Sequence, residues 1–567
     1  EFVGKDSPNP SKLVHPNDWN NFAPSFGFSW NVPKLNNTVI RGGYGLNYSA
    51  APDFLAYNSA LGSFPGNSLN VTQSTFGSVG YLDLSKAVAN QTSLFPLNTS
   101  GSQPFQPLPL NGVGSRSGTI YGYADNWKTP YIQSFNFSIQ RQLTRDLTFD
   151  IGWVGNHASH LYMNHNINDV NVQENGLLSA FNAVRAGQDN VALMDQIFQG
   201  ANFGILPGVT GTAIVGQNVT AAQALRRSTT TNGWIANGNV GALANFINTT
   251  QTLAPAPYNG KPGGLLLNAG LPQNFIVVSP QYGTVNLVDS SSSSTYHSLQ
   301  AHITKRSSHG VTGQFSYTFS KALGDGGTVR DPRNLAASKG VLSVDRTHVI
   351  ASNATYDLPF GPNRLLFANA PGFVQRIVEG WQLSSIASWQ SGAPLSFNAT
   401  GFGLTGPGTL YNSAQNTLDL VGAFPKGDVT KGNNVVQYFS NLKIQKVVPT
   451  FNADNSTLQG VYTNQVAVDP SGNVIFQNPT PGRIGNMSLN SGQIRGPGML
   501  SLNAAITKSV RISEGKTFTL RADAVNVLNK SQWSNPNTNI NGSTFGTITS
   551  VVGNVGRLVT LNARIDF

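Results

Sequence analysis

RLVTLNARIDF, residues 557–567, alternates without a break. Val559, Leu561, Ala563, Ile565 and Phe567 are apolar, while Thr560, Asn562, Arg564 and Asp566 between them are polar. A period of two places one set on each side of an extended strand, so one face is greasy and the other is wet. The fold follows from which solvent the greasy face meets.

Other segments read the same way. KTFTLRADAVNVL sets Phe518, Leu520, Ala522 and Ala524 against Thr517, Thr519, Arg521 and Asp523. LTFDIGW, SFNFSIQ, VTGQFSYTFS and MLSLNAAIT repeat the pattern. Alternation predicts about eleven strands. They fall near 24–32, 38–49, 131–142, 145–157, 295–306, 310–321, 346–358, 376–391, 498–511, 515–527 and 557–567.

The gaps between them alternate in length. VPKLNN, LTRD, KRSSHG and SEGK are short, and GPNRLLFANAPGFVQ is intermediate. The remaining gaps, near 50–130, 158–294, 322–345, 392–497 and 528–556, are long. Short turns at one end and long loops at the other are the pattern of a transmembrane antiparallel β-barrel of the outer-membrane type, with the turns in the periplasm and the loops outside. A soluble sandwich or propeller would also alternate, but it keeps its loops short at both ends. In the barrel, Phe135, Phe137, Phe149, Ile151, Phe315, Phe319, Leu520, Leu561 and Ile565 face lipid. Arg521, Asp523, Arg564 and Asp566 face the lumen.

Composition fits an all-β membrane wall. Of 567 residues only 11% are charged, while 60 are Gly, and no apolar run nears the ~20 residues of a membrane helix. With no Cys, a disulfide framework and a thiolate metal site are excluded. The net charge of +10 suits an anionic lipid surface. No Lys/Arg cluster supports nucleic acid as a partner.

Several stretches together resemble the TonB-dependent outer-membrane receptors, in particular the large Oar-like receptors of acidobacterial type. They are TPYIQSFNFSIQRQLTRDLTFDIGWVGNHASHL, SSTYHSLQAHITKR with FSYTFSKALGD, DRTHVIASNATYDLPFG, and FTLRADAVNVLNKSQWSNPNTN with the terminal strand. The resemblance implies a 22-stranded barrel plugged by an N-terminal domain. It also implies import of a large nutrient energised through the TonB complex, and a C-terminal aromatic, here Phe567, read by the insertion machinery. The opening stretch EFVGKDSPNPSKLVHPNDWNNFAPSFGF looks like the middle of such a receptor. The expectation is therefore the C-terminal half of a barrel, with residues 1–23 in an extracellular loop and 24–567 as wall and loops. The plug and the N-terminal half would be its partner, as a separate chain or as sequence outside this one. The competing function is a surface-structural or adhesive protein whose large loops mediate assembly or attachment.

Candidate chemistry is sparse, and neither enzyme activity nor a cofactor is expected. His157, His160 and His165 in GNHASHLYMNHN are weak candidates for a metal, with no carboxylate or Cys to complete the set. Asp325 and Asp331 lack the spacing of a calcium loop. Trp19, Trp127, Trp153, Trp389 and Trp533 lie near strand ends, as an aromatic girdle requires. GTVNLVDSSSSSTYHS reads as a solvated loop end. Leu177, Leu178, Phe181, Val184 and Leu193 recur at helical spacing and predict short helices within 176–200.

Overall fold

A computed structural model describes residues 18–49, 116–399, 416–449 and 456–567, apart from positions 36, 117, 328, 363, 433, 434, 554 and 555. Its main element is a thirteen-stranded sheet with eleven long strands in sequence order. These are β1 (Ser25–Asn31), β2 (Thr38–Tyr48), β3 (Tyr131–Thr144), β4 (Leu147–Asn166), β5 (Thr284–Ser308), β6 (Val311–Gly324), β7 (His348–Asp357), β8 (Trp381–Gln390), β9 (Met499–Ser513), β10 (Lys516–Val525) and β11 (Leu558–Asp566). Each pairs antiparallel with the next. All eleven strands read from the sequence are present. The connections alternate between short and long, so the long ones gather at one end of the sheet.

The structure corrects several boundaries. β4 and β5 run well past the expected 157 and 295, because residues 158–166 pair with the stretch preceding Thr295. The serine run 290–294 is therefore strand, not solvated loop. Serine satisfies the ladder through its backbone, and only the partner strand reveals this. The register slips at Ala158/Leu161 and Leu161/Met163, where His160 takes φ 56°. Within the expected loop 50–130, Thr119–Tyr123 pairs parallel with the start of β5; positions 50–115 lie outside the described residues. The strand expected from 376 begins at Trp381, and before it Gly372–Val378 is helical. Gly380 makes the corner at φ 68°, where a Cβ would collide with the Ser509 carbonyl.

The described parts of the later long connections fold into two packed lobes. The β4–β5 connection contributes α1 (Leu177–Arg185), α2 (Ala192–Ile197), α3 (Ala221–Arg227), α4 (Asn232–Asn237), α5 (Val240–Thr249) and α6 (Gly264–Asn268). The helices expected within 176–200 are α1 and α2. Leu177, Phe181, Val184, Met194, Ile197, Leu225 and Leu243 form its core. α3 starts at a capping box in which the Thr220 hydroxyl accepts from the Gln223 N–H and the Gln223 side chain accepts from the Thr220 N–H. A helix at Ser456–Val461 adds Leu458 to this core from the β8–β9 connection, and Asn237 bonds to Val461 and Thr463. The second lobe packs Phe397, Phe439, Phe476, Phe545 and Ile548, drawn from the β8–β9 and β10–β11 connections.

Tyr438 sits at the edge of this second core and donates to the Arg495 carbonyl at 2.6 Å. Burial pushes its phenol up to about 12. The folded pKa lies above the phenol's ordinary value of 10.0, so the stabilising contribution is complete below that value and is lost as pH rises toward 12. Tyr438→Phe is expected to cost about 1 kcal/mol at neutral pH and to flatten alkaline loosening of the lobe. Hydrogen exchange of lobe amides measured against pH checks both.

Candidate functional site: a polar wall beneath a folded cap

Cross-strand partners share a face, so the register extends the alternation of each strand across the whole sheet. Ile565 faces Phe518, Leu561 faces Ala522, Ile506 faces Ala522 and Leu383 faces Ile506. The same side continues through Tyr356, Val311, Phe315, Phe319, Leu299, Trp153 and Phe137 to Gly42 and Phe28. All nine side chains expected on the apolar face lie on this one side, in a single uninterrupted belt.

Arg521, Asp523, Arg564 and Asp566 lie together on the opposite side. Arg521 stands opposite Asn562, and Thr519 opposite Arg564. Arg521 and Asp523 pair at 2.7 Å, and Arg564 and Asp566 at 2.6 Å. Asn562 donates to Asp523 at 3.3 Å. These are in-strand pairs two residues apart, which alternation places on one face. Further along the same face, Arg41 donates to Gln140 at 2.8 Å, and Ser316 lies 2.6 Å from His302.

The cap is fastened above this wall by contacts that sequence reading missed. Asp345, whose side chain is fully buried, accepts from Arg495 at 2.6 Å and from the Ala322 N–H at 2.6 Å. Arg330, also buried, donates to the Thr417 hydroxyl at 2.7 Å and to the Gly485 carbonyl at 2.9 Å. Burial lowers its pKa. Arg116 donates to Asn248 at 2.6 Å and also to Gln273, and burial brings it down to about 10. Each contact joins segments far apart in sequence, so no spacing signals it. At the loop end of β7–β10 a cavity of about 380 Å³ is lined by Val349, Gln390, Met499, Ser501, Asn503 and Gln532 among others, with no charged side chain.

The three histidines have separate partners. His157 contacts the Thr295 and Ser159 hydroxyls at 3.3 and 2.9 Å. His160 packs on the Tyr131 ring, and His165 stands 3.9 Å from Asp289. Among the described residues no three His, Cys, Asp or Glu side chains gather as a metal site. Trp153 stacks between Phe135 and His297, and Trp389 on His348, both partly exposed. Trp127, expected in a girdle, is buried against Tyr123 and Tyr162, because the strand at Thr119–Tyr123 covers it. Trp533 packs on the second lobe, and Trp234 packs edge-on against Phe246 within the first.

A one-sided apolar belt on an antiparallel sheet, with short turns at one end and folded loops at the other, defines the wall of a membrane β-barrel. The chain belongs to the outer membrane beta barrel domain family, whose model matches residues 1–560. It is a protein of the Gram-negative outer membrane. No curated protein matches its sequence. Among solved structures it is similar to the outer membrane transporter YddB from Escherichia coli (9% identity, TM-score 0.34), covering 96% of this chain and 40% of that one. It is also similar to a mutant of the ferric enterobactin receptor PfeA from Pseudomonas aeruginosa (8%, 0.34, 96% and 40%). A third is the FrpB iron transporter from Neisseria meningitidis (8%, 0.31, 96% and 39%). The chain thus spans about 40% of the length of these structures.

Proposed function

We propose that the chain is the wall and extracellular cap of a TonB-dependent receptor of the Oar-like type, which imports a large nutrient through a plugged barrel. The observation that carries this reading is the cap itself. Two packed lobes are anchored by buried ion and hydrogen-bond contacts over the end of a polar-faced wall, where an incoming ligand would be selected. Arg521, Asp523, Arg564 and Asp566 line the lumen in this reading, and the TonB complex supplies the energy. Uptake by expressing cells should then stop when the proton-motive force is collapsed. If retention of the ligand is indifferent to an uncoupler, while removal of 167–283 abolishes cell attachment, the adhesive function holds instead.

The same reading takes the chain as half of a barrel of about twenty-two strands. β1 and β11 are the outer strands of the path, each with one long-strand neighbour among the described residues. In lipid each unpaired backbone group costs several kcal/mol, so both edges require partners. Pairing β1 with β11 would join them parallel, because both run in the same direction across the membrane, whereas bacterial single-chain barrels are even-stranded. Further strands, with a plug, are the proposed partner. Mass spectrometry of the purified barrel tests this; a closed barrel made only of residues 1–567 would sink it.

Phe567 is assigned the role of the aromatic read during insertion. It is exposed, with the Lys516 ammonium 5.8 Å from its ring. Deleting it is expected to lower the amount assembled at the surface several-fold without altering the remaining strands. Surface labelling of a chain ending at Asp566 measures this, and undiminished display would remove the assignment.

A further inference from the structure

The connection between β7 and β8 lies at the short-turn end of the sheet, which faces the periplasm in this family's architecture. Its helix, α7 of the sheet-proximal connector (Gly372–Val378), buries none of its side chains. Phe373 is 78% exposed and Ile377 53%; four residues apart, they share one side of the helix. Leu365, 84% exposed, and Phe367, 54%, add to the same connector. So much apolar surface in water is costly, at roughly 25 cal/mol per Å².

The anchoring shows which side of the wall this segment occupies. The Trp381 indole N–H donates to the Ile377 carbonyl at 2.9 Å. The Lys508 ammonium donates to the Arg376 carbonyl at 2.8 Å and to the Glu379 carbonyl, and lies 5.6 Å from the centre of the Trp381 ring. Trp381 and Lys508 are cross-strand partners, and Lys508 is also the partner of Leu520. The helix therefore hangs from the apolar face, and its bare side chains extend that face.

Charge at the same rim is basic. Arg141 stands opposite Phe149, Lys305 opposite Leu147 and Lys508 opposite Leu520, all on the apolar side and close to short turns. Arg364 and Arg376 are exposed on the connector. The carboxylates facing this group are Asp146, paired with Lys305, and Glu379, 3.1 Å from Arg376. Trp30, Tyr356 and Trp381 lie on the same side near the same turns.

We propose that residues 364–378 form an interfacial foot seated in the periplasmic leaflet of the outer membrane. Leu365, Phe367, Phe373 and Ile377 enter the acyl boundary, while Arg364 and Arg141 reach phospholipid phosphates. The occupant is phospholipid because the surface is continuous with the lipid-facing belt and carries the aromatic and long basic side chains that settle at a headgroup boundary.

Residues 1–567 contain no Cys, so a site-directed spin label meets no competing thiol within them. Single variants Phe373→Cys and Leu365→Cys are labelled in the complete barrel, in vesicles of phosphatidylethanolamine and phosphatidylglycerol. Glu514→Cys, in the β9–β10 turn, is the aqueous control. The labels at 373 and 365 are expected to keep collisions with oxygen and to lose collisions with a water-soluble nickel chelate, which the label at 514 retains. Nickel collisions equal to those at 514 would place the segment in water and overturn the proposal. Loss of both collision types would mean a protein covers it, and would overturn it equally. Two labelled positions keep the test intact if one variant does not assemble.

Discussion

Leu520→Arg is expected to lower barrel insertion by ~2–4 kcal/mol if residue 520 lies at mid-membrane depth, falling toward ~1 kcal/mol nearer the short-turn rim, whereas Thr519→Arg, one residue away, is expected to be nearly neutral. Leu520 projects from the apolar side with Ala563 and Lys508 as cross-strand partners, and Thr519 from the polar side opposite Arg564. A guanidinium at 520 must either lose its hydration in hydrocarbon or distort the bilayer to keep it. At 519 it stays in the polar interior, beside Arg564 but within a face that already holds Asp523 and Asp566. Folding yield into liposomes over a denaturant series measures both variants. Equal losses at the two positions would contradict the facing of the whole belt, since the register ties each strand to the next.

The second large effect is expected at Arg495. Its guanidinium is the ion partner of Asp345, whose carboxylate is removed from solvent. Arg495→Ala leaves that charge with the Ala322 N–H as its remaining described hydrogen bond, and should destabilise the cap locally by ~3–5 kcal/mol. The pair joins the β6–β7 connection to the β8–β9 connection, so the loss should appear as faster hydrogen exchange in both, with the wall unaffected. Asp345→Leu together with Arg495→Ala should recover part of it, because no uncompensated carboxylate remains. Unchanged exchange in the single variant would show that the lobes are held by their apolar cores alone.

The wall was legible in the sequence because a lipid-facing strand has to alternate. Val559, Leu561 and Ile565 share the apolar face, and Thr560, Asn562 and Arg564 the polar one, so period two is written residue by residue. The shared face of Arg521 and Asp523 came with it, and the structure pairs them. What the sequence left open was decided by partners distant along the chain. The serines at 290–294 have no facing preference of their own and became strand through residues 158–166 of β4. Residues 372–378 carry apolar side chains compatible with strand or helix, and in the fold they form a helix that ends just before the corner at Gly380. Trp127 went inside because a parallel strand, Thr119–Tyr123, pairs with β5 beside it. The cap depended most on tertiary structure. Asp345 meets Arg495, and Arg330 meets Thr417 and Gly485, across long stretches of chain. Burial turned otherwise ordinary polar residues into its fastenings, and burial is a property of the folded chain that no local pattern encodes.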